Sequence, residues 1–67
     1  MTPKQLKKIR SEFGMSMREF GEHAGYSFTG IGKMENEQLK IPERMVNTLK
    51  TNLEKKIENL KKLVDTL

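Results

Sequence analysis

The chain contains no cysteine and no tryptophan, a single tyrosine, a single histidine and two prolines. Each scarcity excludes something. Without cysteine there is no disulfide and no thiolate metal site, a composition that suits a reducing cytoplasm. His23 has neither a second histidine nor a cysteine with which to share zinc, so no metal is expected, and it reads as a surface helix residue. No apolar run approaches the roughly 18–20 residues of a membrane span, so a membrane partner is not expected. The basic opening MTPKQLKKIR lacks the apolar core of a signal peptide. Carboxylates are scattered rather than paired, Ser16 and Ser27 have no base nearby, and no glycine-rich loop follows a strand. Neither an enzyme nor a cofactor is expected.

What remains is a small, charged, helix-forming chain. Its 67 residues make one compact unit, of a size that buries only about 60% of its unfolded surface. They leave no room for a separate ligand-sensing domain, so no small-molecule ligand is expected. Thirteen Lys/Arg against nine Asp/Glu give a net charge of +4. The excess is concentrated: Lys4, Lys7, Lys8 and Arg10 occur with no acid among them, which suits a polyanion partner as well as a solvated surface.

Helix starts and stops are written locally. Thr2-Pro3-Lys4-Gln5 has a capping threonine, a proline at the first helical position and a glutamine able to reach back, so a first helix is expected over about 3–13. Leu6, Ile9 and Phe13 give it one apolar face, and Gly14 ends it. Ser16 and Glu19 form a second capping box for a short helix over 17–24, with Phe20 and Ala24 on one side, Gly21 allowing close approach and Gly25 as the stop. Ser27 caps a third over 28–36, with Ile31 and Met34 inward and Thr29, Lys33 and Asn36 outward. This third helix is weak, because Gly30 and Gly32 each cost about 1 kcal/mol against alanine in a helix interior. After a loop at 37–41, Pro42 opens a long helix. Its stripe of Met45, Val46, Leu49, Leu53, Ile57, Leu60, Leu63, Val64 and Leu67 keeps its phase within about 120° of the helical wheel. Continuity is expected through Thr51-Asn52, although Thr51 and Glu54 offer a third capping box where the chain could break and fold back on its body.

Two short helices joined by Gly25-Tyr26-Ser27 have the dimensions of a helix-turn-helix, whose second helix enters the DNA major groove. The run IRSEFGMSMREFGEHAGYSFTGIGKMENE resembles the helix-turn-helix domain of phage Cro and lambda-type repressors. Ile9-Arg10, Gly14, Ser16, Phe20, Gly25, Ser27, Ile31 and Glu35 fall at matching places. The spacing from Glu35 to Ile41-Pro42 and the opening TPKQLKKIR are similar to small phage and plasmid regulators. The likeness covers about residues 4–49. It implies an all-α, five-helix, lambda-repressor-like DNA-binding domain over residues 1–50, followed by a helical extension over 51–67 that dimerises.

On this resemblance the residues expected to meet double-stranded DNA are Ser16, Met17, Arg18, Ser27, Phe28, Thr29, Lys33, Asn36, Lys40 and Arg44. Arg10 and Glu35 are expected to form a structural ion pair across the first and third helices. Lambda-type repressors carry a small-residue run where this chain has TGIG. Gly30 and Gly32 would then let the backbone sit close to DNA, or else relieve crowding against the second helix. The chain also departs from the family. Met17 stands where a phosphate-contacting glutamine is usual, Phe28 where glutamine often reads adenine, and Glu37 where glycine usually follows the glutamate. Phe28 could pack on a thymine methyl group.

A body of about 45 residues cannot cover the whole apolar stripe. Leu53, Ile57, Leu60, Leu63, Val64 and Leu67 are therefore expected at a homodimer interface, which would set two recognition helices about 34 Å apart. The function expected is a cytoplasmic, dimeric, sequence-specific transcriptional repressor acting on a short operator. The alternative is a protein-binding adaptor or antirepressor-like module that keeps the fold and uses Met17, Tyr26 and Phe28 as an apolar patch.

Overall fold

The computed structural model describes all 67 residues, Met1–Leu67, as four helices without strands. These are α1 (Pro3–Glu12), α2 (Met17–Ala24), α3 (Phe28–Glu35) and α4 (Glu43–Val64). The all-α class is as expected; the helix count is four and not five. α4 runs unbroken through Thr51-Asn52. The Thr51 hydroxyl donates to the Asn47 carbonyl one turn back instead of capping a new helix, and the Asn52 amide donates to the His23 carbonyl at 2.7 Å. That second bond ties the middle of α4 to the end of α2 and leaves nothing to start a fifth helix.

The starts follow the local signals. Thr2 and Gln5 form the reciprocal capping box, with Gln5 N–H donating to Thr2 Oγ1 at 3.1 Å and Thr2 N–H to Gln5 Oε1 at 2.9 Å. Ser16 accepts from Glu19 N–H and Ser27 from Gly30 N–H. The return bond from Glu19 is not made, so Ser16 is a simple cap. α1 stops at Glu12 and α3 at Glu35, one residue short of expectation, because Phe13 and Asn36 serve as C-caps.

The three short helices end in the same way. A left-handed residue closes the helix, and the N–H that follows it reaches back to a carbonyl of the last turn. Met15 N–H donates to the Arg10 carbonyl past Gly14 (φ 64°), Tyr26 N–H to Gly21 past Gly25 (φ 76°), and Gln38 N–H to Lys33 past Glu37 (φ 61°). Glu37 is the odd member, a side-chain-bearing residue in a conformation that costs about 1–2 kcal/mol without glycine.

α2 packs on both α3 and α4, while α1 packs on α3. The buried core is Leu6, Met15, Phe20, Ala24, Ile31, Met34, Met45, Leu49 and Leu53, with Ile9, Phe13, Met17 and Ile41 packed around it. Leu53, expected on the dimer stripe, belongs instead to this core. The Asn52–His23 bond holds α4 against α2 one turn further than a 45-residue body implies. His23, expected on the surface, is half-buried at the same junction, its Nδ1 2.9 Å from the Glu19 carbonyl.

Candidate nucleic-acid interface

The α2–turn–α3 unit is built around one close contact. A side chain on Gly21 would run into the carbonyl oxygen of Tyr26 in the turn. Glycine there lets the two helices cross, and the Tyr26 N–H to Gly21 carbonyl bond (2.9 Å) locks the crossing. Ile31 and Met34, fully buried, commit the inner face of α3 to the core. Its outer face, with Thr29, Lys33 and Asn36, is exposed, and none of these side chains hydrogen-bonds within the chain.

The glycines of α3 are not demanded from inside. A methyl group on Gly30 would sit 3.5 Å from Ser27 Oγ and from the Tyr26 ring, and one on Gly32 3.5 Å from Met17 Sδ. These are ordinary van der Waals distances. Relief of crowding against α2 is therefore not what keeps glycine at these two positions.

The expected interface residues fall into three groups. Ser16 and Ser27 are exposed, but their oxygens are engaged as helix caps. Met17 is half-buried, its sulfur facing Gly32, so it acts as packing between α2 and α3 more than as a free contact. Arg18, Phe28, Thr29, Lys33, Asn36, Lys40 and Arg44 are exposed. Of these, Arg18 and Phe28 meet: the Arg18 guanidinium carbon lies 4.8 Å from the centre of the Phe28 ring. Arg44 borders the α2–α3 turn beside Gly25 and Tyr26, whereas Lys40 borders Met1 and Pro3 near the start of α1. The two late cations thus sit in different depressions of the surface.

The ion pairs sort the charges. Arg10 and Glu35 form the expected bridge, with Arg10 Nε donating to Glu35 Oε2 at 2.7 Å and Nη2 to Oε1 at 3.0 Å. Arg10 Nη1 also donates to the Met15 carbonyl at 3.1 Å, so one guanidinium ties α3 to the α1–α2 connection. Glu35's side chain is 3% exposed and Arg10's 16%. The Glu35 hydrogen bonds hold the Arg10 pKa above its ordinary value, against the opposing effect of burial, with the Glu35 charge adding to the rise. Lys62–Glu58, at 3.8 Å on the open surface of α4, is the other salt bridge. Arg18, Lys33, Lys40 and Arg44 therefore have no carboxylate partner, and their charge is free to meet an anion.

Two features escaped the sequence reading. Met15 lies in the core and receives Arg10 on its carbonyl, though it reads as a residue between helices. The Arg18–Phe28 stack joins residues ten apart across a turn, and no local periodicity reports such a pair. No helix is long and apolar enough to cross a membrane, and no cluster of three or more His, Asp or Glu is placed to hold a metal ion. Comparison with protein-family models, with curated proteins and with solved structures finds no match to this chain.

Proposed function

We propose that the protein is a sequence-specific DNA-binding transcriptional regulator, a dimeric repressor of the phage type acting on a short operator in the cytoplasm. The observation that carries this reading is the division of α3. Its inner face is wholly committed to the core, while its outer face offers Thr29, Lys33 and Asn36 without internal partners. An α-helix of this kind fits the major groove, where short polar and cationic side chains meet base edges. The unpaired Arg18, Lys33, Lys40 and Arg44 suit phosphate contacts. The caps Ser16 and Ser27 and the carbonyl-bound His23 are engaged in structure, which favours a binding role over catalysis.

The dimer is supported by Ile57, Leu60, Leu63, Val64 and Leu67, which remain between 47% and 102% exposed. Their burial against a partner is worth several kcal/mol at about 25 cal/mol per Å². The 39% and 48% exposures of Tyr26 and Phe28 favour a second reading, an adaptor that binds another protein through this patch. A gel-shift against duplex DNA from upstream of the protein's own gene separates the two. A shifted band that weakens steeply with salt supports the regulator. Absence of any shift at low salt supports the adaptor.

A further inference from the structure

One face of α4 is covered for half its length and bare for the rest. Met45, Leu49 and Leu53 are buried against the body. At 100° per residue, Leu60, Leu63 and Val64 fall in the same sector, with Ile57 at its edge; Leu67 follows in the turn that closes the helix, and all five are exposed. The helix therefore overhangs the body, in a molecule 43 Å long and only 20 × 18 Å across. Beside the covered half runs a mainly apolar groove lined by Ile9 of α1, its C-cap Phe13, and Val46, Leu53 and Ile57 of α4, with Lys50 and Glu54 at its margin. The groove opens into the bare stripe at Ile57.

We propose that a second copy of this chain occupies this face in antiparallel orientation, with its Val64 and Leu67 reaching the Phe13–Ile57 end of the groove. This rests on the dimeric reading above and adds its geometry. The orientation follows from sterics. The body sits on the same face of α4 that carries the bare stripe. Two helices paired in parallel, stripe to stripe, would place both bodies in the same space between them. Paired antiparallel, each body lies beyond the last turn of the other α4, which closes at Val64.

The register follows from the spacing. Ile57 opposite Leu67 and Leu60 opposite Val64 share one centre, at position 62, and set four of the five bare residues onto apolar neighbours, while Leu63 falls level with Lys61. At 1.5 Å per residue, the tip then ends beside the groove, and the two bodies, centred on Leu49, attach roughly 40 Å apart. That is of the order of one turn of duplex DNA, about 34 Å, which is the separation a two-headed reader of adjacent major grooves needs.

The absence of cysteine makes the test clean. Ile57→Cys and Leu67→Cys are made separately, both at exposed positions. One is given a mass tag, and the two are mixed, re-equilibrated and treated with a mild oxidant. Circular dichroism checks that each variant is folded, and light scattering of the untagged wild type at micromolar concentration reports the oligomeric state. The antiparallel pairing sets position 57 of one copy level with position 67 of the other, while like positions lie about 15 Å apart along the axis, beyond disulfide reach. The expected result is a mixed disulfide in at least about five-fold excess over either like-with-like product. Like-with-like products in excess, in a protein that scatters as a dimer, overturn the antiparallel arrangement and leave the dimer standing. A monomeric wild type overturns both.

Discussion

The guanidinium carbon of Arg18 lies 4.8 Å from the centre of the Phe28 ring, joining the first turn of α2 to the first residue of α3. A cation over an exposed ring is worth about 0.5–1 kcal/mol, so the stack contributes little to stability. It holds one charge and one apolar ring side by side where α3 begins. Phe28→Ala is expected to lower the unfolding free energy by no more than about 1 kcal/mol in urea melts. If the ring packs on a thymine methyl group, the same change reduces the preference for operator over scrambled duplex by about 5- to 150-fold, the equivalent of about 1–3 kcal/mol. Equal weakening on both duplexes would show that Phe28 only steers Arg18 and reads no base.

Removing either member of the Arg10–Glu35 bridge leaves the other charge buried without its partner. Arg10→Ala is expected to cost about 3 kcal/mol. Arg10→Lys should recover only part of this, since an ammonium cannot span both carboxylate oxygens and the Met15 carbonyl together. The Arg10 pKa is raised in the folded state. Its contribution is therefore complete below the unfolded value and is lost only as pH climbs past the raised one, above any pH used for folding studies. The loss in Arg10→Ala, measured in urea, should accordingly be the same across the neutral range. A cost under about 1 kcal/mol would class the pair with ordinary surface bridges.

Alanine fits at Gly30 and Gly32 without collision. Each substitution is expected to raise stability by about 0.5–1 kcal/mol, because alanine is the better helix former. Both should weaken DNA binding if the α3 backbone lies close to the duplex. Gly21→Ala, which meets the Tyr26 carbonyl, should destabilise instead. Thermal melts of the three variants decide the matter; a loss of stability in Gly30→Ala and Gly32→Ala would mean that glycine there serves packing.

Glu37 occupies the left-handed closing position after α3 at φ 61°. Glu37→Gly is expected to stabilise the fold by about 1 kcal/mol by relieving the Cβ clash of that conformation. It also removes a negative charge next to Asn36, so affinity for duplex DNA should rise at low salt. Unchanged or lower stability in urea would show that the charge or the stem of Glu37 is holding the loop.

Reading and positioning separate by salt. With roughly 4–8 phosphates neutralised per dimer, affinity should fall about a hundred- to ten-thousand-fold between 50 and 200 mM salt. Thr29→Ala and Lys33→Ala, on the outer face of α3, should relax the preference for operator over scrambled duplex. Lys40→Ala should weaken both alike and lower the salt slope by about one per subunit. If Lys40→Ala alone changes the operator-to-scrambled ratio, α3 does not lie in the major groove.

The helix starts were legible because their causes are local. Thr2, Ser16 and Ser27 each accept from an N–H three residues on, and Gly14 and Gly25 supply the left-handed turns that end α1 and α2. Such signals lie within a few residues, and the sequence by itself determined them. It also determined which face of each helix is apolar, since Leu6, Phe20, Ala24, Ile31, Met34, Met45 and Leu49 all reach the core.

Tertiary structure decided what depends on how helices cross. Asn52 meets the carbonyl of His23, 29 residues away, and the neighbouring Leu53 lies in the core and off the exposed stripe. Arg18 finds Phe28, and Met17 turns its sulfur to Gly32, because the Gly21–Tyr26 contact sets the angle between α2 and α3. Periodicity assigns a residue to a face. Which part of that face is covered depends on where the neighbouring helix begins and ends against it, and that is a property of the packed chain alone.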